Sequence, residues 1–449
     1  MLIAYLELRE LIPIRKSNRR LDELGERARG KGEREAQQFF PLEPPIVGSF
    51  GNYLTTFGKW YNLKLMYPKN TFYISSLTPL RGFAALFVVM HHYVHTAVST
   101  PQVQNSFQPQ LFERIALKGY LWVDFFFLLS GFVIFHVYRN SLYKGTSRTI
   151  SWRSYWKFIK LRFIRIYPLH IFTLLILVAY QGIIFFVEPD YFFTGYFSFK
   201  KLVSNLLLLN AMGLHDSSGW NFVSWSIGAE FYTYLLFPVF LLILHEGSFK
   251  KVVWTLRATW AGLYALILVS SQKSLALTHE YGFYRCLLEF LAGIALYHIY
   301  DRKWLKFLLA KDSAFLLSFL CLALIFTSGK NDIWVLPCFA LLLLAAALNK
   351  GRCRKVLNLK PCQFLGEISY SLYMIHGIIV IFMGSASVVS NGQYFWSGLS
   401  QLQLWLGLLS FMLLSLLLAS ITCFKIENPL REYLRKKLVG SSKAVAVRS

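Results

Sequence analysis

The chain has 449 residues, of which 55% are hydrophobic and 17% aromatic, and it carries a formal net charge of +24. A soluble domain is normally less apolar, and here the apolar residues come in runs of about 18 or more, long enough to cross hydrocarbon as helices. The basic residues follow the loops between those runs, so topology accounts for the charge and no nucleic-acid partner is expected.

Residues 1–75 stand apart from the rest of the chain. "LELRELIPIRKSNRRLDELGERARGKGEREAQQ" is charged and polar, and "FFPLEPPIVGSFGNY" adds prolines and glycines. The start lacks the short apolar core and small-residue cleavage site of a secretory signal. The expectation is a poorly ordered cytoplasmic arm, or a start assigned too early, since Met66 lies just ahead of the first apolar run.

Ten spans are predicted beyond the arm: 81–98, 118–138, 166–187, 223–244, 252–271, 282–300, 314–328, 332–349, 370–389 and 402–424. The fold class is therefore all-α and polytopic, with residues 76–438 as one membrane domain and 439–449 as a cytoplasmic tail. With the N-terminus inside, the inner loops and tail hold 26 Lys and Arg residues against six in the outer loops. That bias puts both termini in the cytoplasm. The longest outer loop, 188–222, contains "KLVSNLLLLNAMGL", too short to span and expected to form an interfacial or re-entrant helix. The six cysteines fall in or beside the spans with no Cys-x-x-Cys pair, so neither a disulfide framework nor a metal site is expected.

Ionisable groups inside a bilayer are costly and mark functional candidates. The first span opens on Arg81 and carries His91 and His92, the latter about 16 Å above the inner edge at about 1.5 Å per residue. Asp124 lies near the outer end of the second span, and Ser130 near its middle. "WRSYWKFIKLRFIRIYP" leads into the third; Arg162 and Arg165, three apart, share a helix face and can grip one phosphate-bearing ligand. Glu230 occupies the upper middle of the fourth span. Arg285 and Glu289 have the spacing of an intrahelical ion pair, and His376 falls in the lower middle of the ninth. Polar groups from several spans thus converge on the central layer.

These residues resemble the acyltransferase-3 family of integral membrane acyltransferases across roughly residues 75–435. "LRGFAALFVVMHH" is similar to the first-helix signature, an arginine followed after ten residues by a histidine, which selects His92 rather than His91. "VDFFFLLSGFVIF", "RFIRIYPLHIF", "VSWSIGAEFYTYLLFP", "LGEISYSLYMIHGIIV" and "IENPLREYLR" come next, in the family's order. Many members open the third helix with two adjacent arginines; here Leu161 stands at the first. The long arm lies outside the family pattern, and the soluble esterase-like domain of some members is not seen.

The resemblance implies an O-acyltransferase of the bacterial inner membrane. It implies an acyl-CoA donor, acetyl-CoA in the simplest case, and a carbohydrate or glycolipid hydroxyl as acceptor. Arg81, Arg162 and Arg165 are expected to hold the coenzyme. His92 is expected to act as general base or transient acyl carrier, with Glu230 a second catalytic candidate. Asp124, Ser130 and His376 are the supporting or acceptor-side polar residues. The rival expectation is a polysaccharide or glycolipid export factor of the same family.

Overall fold

Hydrocarbon offers the backbone no hydrogen-bond partners, so each apolar run closes its bonds on itself as a helix. A computed structural model describes residues 74–99, 107–144, 149–187, 195–329, 332–389, 396 and 398–439. The predicted arm up to residue 73 and the tail from 440 lie outside the described residues, which belong to one unit beginning at Ile74.

In chain order the helices are α1 (Leu77–Val98), α2 (Gln110–Leu117), α3 (Trp122–Leu142), α4 (Trp152–Val187), α5 (Phe199–Leu206), α6 (Trp225–Leu235) and α7 (Phe237–Leu244). Then come α8 (Phe249–Val269), α9 (Gly282–Asp301), α10 (Lys306–Leu309), α11 (Asp312–Thr327), α12 (Val335–Leu348) and α13 (Arg352–Leu357). The last are α14 (Lys360–Val389), α15 (Gln401–Thr422), a π-helical turn over Cys423–Glu427, and α16 (Asn428–Val439). Between α3 and α4 a two-residue antiparallel ladder pairs Tyr143 with Ile150 and Lys144 with Thr149.

A helix stands at each of the ten predicted positions, but they are not alike. Five helical stretches, Gln110–Leu142, Trp152–Phe186, Phe249–Val269, Lys360–Gly384 and Gln401–Val439, are long and apolar enough to cross a membrane. A sixth is the pair Phe222–Leu235 and Phe237–Leu244, bent by 56°. The bend falls just before Pro238, which has no N–H to continue the ladder. Asp312–Thr327 and Asp332–Leu348 are shorter apolar helices. The other two positions carry ionisable residues that lower their apolar character, Arg81, His91 and His92 on α1 and Arg285 and Glu289 on α9.

Two close helix pairs organise the interior. On α3 and α9, Gly131 and Gly293 let the backbones touch: a Cβ at either would lie 2.0–2.1 Å from the carbonyl oxygen of Phe290 or Leu128. On α1 and α14, a Cβ at Gly366 would lie 2.2 Å from the carbonyl oxygen of Thr78. Small residues permit such approach between membrane helices. The 188–222 loop is less regular than expected. The eight-residue α5 gives way to irregular chain, and the buried Asn205 near the end of α5, Asn210 beyond it and Ser224 just past the loop bond one another. Beside it Lys201 pairs with Asp216 at 2.8 Å, and its hydrogen bond holds that carboxyl below its ordinary pKa.

Candidate active site

The α1–α14 interface carries a histidine pair. Adjacent helical residues point about 100° apart, and His91 and His92 do so. Nδ1–H of His91 donates to the Ala116 carbonyl at 3.2 Å, which ties it to α2. His92 turns towards α14, where its Nδ1 lies 2.9 Å from Nε2 of the fully buried His376. Nδ1 of His376 lies 3.1 Å from the Leu372 carbonyl. A carbonyl only accepts, so in the neutral pair the His376 proton sits on Nδ1 and its Nε2 accepts from Nδ1–H of His92. Nε2 of His92 is thereby left as the basic nitrogen. Phe222 packs edge-on against His92 at 5.3 Å between ring centroids.

A cavity of about 180 Å³ lies nearby, lined by Arg81, Ser130, Arg162, Arg165, Ser226, Glu230, Tyr234, Tyr370 and Tyr373, with Phe126 among its apolar walls. The Glu230 carboxylate accepts hydrogen bonds from Ser130 and Tyr234, which are 3.0 Å from each other. Arg162 donates to the Tyr138 hydroxyl at 3.0 Å, while its buried Nε–H has no hydrogen-bond partner. Arg165 donates to Glu427 and lies over the Tyr370 ring at 5.3 Å. Tyr373 belongs to both regions. Its hydroxyl is 2.8 Å from Ser226 on the cavity wall, and its ring is 5.7 Å from that of His376.

The predicted site residues therefore fall into three groups. Arg81, Arg162, Arg165, Ser130 and Glu230 share the cavity, and His92 and His376 form the pair behind Tyr373. Asp124 joins neither. It is fully buried and bonded by Arg285 through Nε at 2.9 Å and Nη2 at 2.5 Å. Glu289, the expected intrahelical partner of Arg285, is the more distant carboxylate at 3.8 Å, and both its oxygens lack hydrogen bonds. Tyr234, Tyr373 and Glu427 are not singled out by sequence reasoning. The first two stand four and three residues from Glu230 and His376, on the same helix faces, so spacing held that signal. Among the described residues, no group of three or more His, Cys, Asp or Glu could hold a metal ion.

A bundle of apolar helices with a histidine pair behind an arginine-lined cavity defines a multi-pass membrane protein. The profile described as "Acyltransferase domain" matches residues 74–424, and the chain belongs to this acyltransferase-3 family. It is 31% identical over 207 residues to Acyltransferase MdmB of Streptomyces mycarofaciens, covering 46% of this chain and 49% of that protein. It is 38% identical over 104 residues to Protein 2 in picA locus of Rhizobium radiobacter, covering 23% and 44%. It is 24% identical over 394 residues to O-acetyltransferase OatA of Staphylococcus aureus, covering 80% and 57%. The chain thus spans about half the length of the curated relatives it matches. No solved structure matches it.

Proposed function

We propose that the protein moves an acyl group, acetyl in the simplest case, from cytoplasmic acyl-CoA to a hydroxyl of a carbohydrate or glycolipid at the bacterial inner membrane. The observation that carries this reading is the oriented His92–His376 pair beside a cavity that gathers Arg81, Arg162 and Arg165. The names of the relatives, an acyltransferase and an O-acetyltransferase, support the same chemistry.

The guanidinium groups take the coenzyme's phosphates, for which planar, always-charged forks are well matched. The thioester then extends past Tyr373 towards His92. Nε2 of His92 accepts the proton of the acceptor hydroxyl while its oxygen bonds to the acyl carbon. The carbon–sulfur bond breaks, and the proton passes from His92 to the departing thiolate. His376 orients His92 and spreads the positive charge, as the third member does in a catalytic triad. Glu230, held by Ser130 and Tyr234, is a counter-charge to the arginines and an acceptor for the donor's amide N–H groups. Asp124 belongs to the support of the fold.

A general base contributes roughly 100- to 10,000-fold in rate. His92→Ala should therefore abolish transfer of label from acetyl-CoA to membrane glycans or glycolipids, at unchanged protein amount. His91→Ala, which loses the tie to Ala116 and the ring contacts with His95 and Tyr120, should keep most activity. Equal losses in the two variants would refute the assignment of the base, and no transfer by the unaltered protein would favour the export factor.

A further inference from the structure

Arg165 is about one-quarter exposed, and an arginine so placed can spread its guanidinium over many rotamers. It does not, because a single carboxylate holds it. Glu427 is 1% exposed, and both its oxygens are engaged. Oε1 accepts from Nη1 of Arg165 and, at 3.1 Å, from Nη1 of Arg431; Oε2 accepts from the fully buried Ser371 hydroxyl at 2.7 Å. On its other side Arg165 meets the ring of Tyr370, whose hydroxyl donates to the Ile166 carbonyl at 2.6 Å.

The backbone explains how a charged residue at a helix junction comes to face inward. Pro429 has no N–H to bond the carbonyl four residues back, at Lys425. The chain widens there into the π-helical turn Cys423–Glu427, a form that recurs at functional positions. None of α16 is buried, yet Glu427 immediately before it is. The turn therefore directs one carboxylate into the bundle while the helix after it stays at the surface.

We propose that Glu427 is a positioning residue that aims Arg165 into the cavity so that its fork can meet a phosphate of the donor. The proposal rests on the reading of that cavity as the coenzyme site. A fork that bonds two phosphate oxygens at once depends on its direction as well as its charge. Removing Glu427 adds net positive charge but frees the guanidinium, and direction dominates.

The test is binding of coenzyme A to the purified full chain in detergent, with pantetheine as the phosphate-free control. Arg165→Ala and Glu427→Ala should each weaken coenzyme A binding about tenfold or more, the strength of a charge-assisted pair, and leave pantetheine binding unchanged. The double variant should bind no more weakly than Arg165→Ala alone, because coupled residues are non-additive. Glu427→Asp should recover part of the loss. Should Glu427→Ala not yield a monodisperse protein, Glu427→Gln carries the test, keeping an acceptor but no charge, with a loss of about two- to fivefold expected. Unchanged or tighter coenzyme A binding in the Glu427 variants, or multiplied losses in the double variant, would overturn the proposal. Weak binding in Arg81→Ala and Arg162→Ala but normal binding in Arg165→Ala would overturn it while leaving the cavity's assignment standing. Normal binding in all three arginine variants would remove both.

Discussion

Arg285 illustrates why one ionisable residue in a membrane helix is weak evidence of catalysis. Its guanidinium is 1% exposed and doubly bonded to Asp124 from a different helix. The sequence spacing points to Glu289 instead, because a partner 161 positions away cannot be read from a helical wheel. Breaking a buried pair leaves an uncompensated charge and costs about 3–5 kcal/mol. Asp124→Asn should therefore lower the melting temperature of the purified protein sharply. An apolar exchange of both partners should restore most of it, since such replacement is often neutral. If the single variant is as stable as the parent, the pair is not a structural tie. His92, by contrast, is identifiable from the family spacing, and its hydrogen bond to His376 adds the tautomer that no sequence contains.

At the scale of elements, α1 and α14 form the frame of the histidine pair, and Gly366 governs how closely they approach. A methyl at Gly366 would meet the Thr78 carbonyl oxygen at 2.2 Å, against backbone that cannot move aside as a side chain would. Overpacking of this kind costs about 1–3 kcal/mol and shifts backbone. Gly366→Ala should accordingly reduce acyl transfer at least tenfold through a lengthened His92–His376 contact, with membrane insertion retained. Full activity in that variant would mean the interface tolerates separation. The helices themselves were legible because apolar runs leave the backbone no alternative. The bend before Pro238 and the π turn before Pro429 were less so: proline marks where a ladder breaks, but not which way the chain turns.

For the whole molecule, the distribution of 26 Lys and Arg residues against six predicts the 139–165 loop inside and the 188–222 loop outside. Single cysteines in each, labelled with an impermeant maleimide on intact cells, should react in the second loop and not the first; the reverse would invert the orientation. The positions of ten helices were readable from hydropathy, whereas which of them cross was not, because α1 and α9 carry ionisable side chains among their apolar ones. The size of the cavity has a further consequence under the proposed reading. At about 180 Å³ it is smaller than pockets that enclose a drug-sized ligand, about 300–1,000 Å³. A coenzyme would enter by its acyl-bearing arm, with a phosphate at the arginines and the adenosine end left in the water it came from. The carrier would then withdraw on the side it arrived, its pool undiminished by export, and only the acyl group would change compartments.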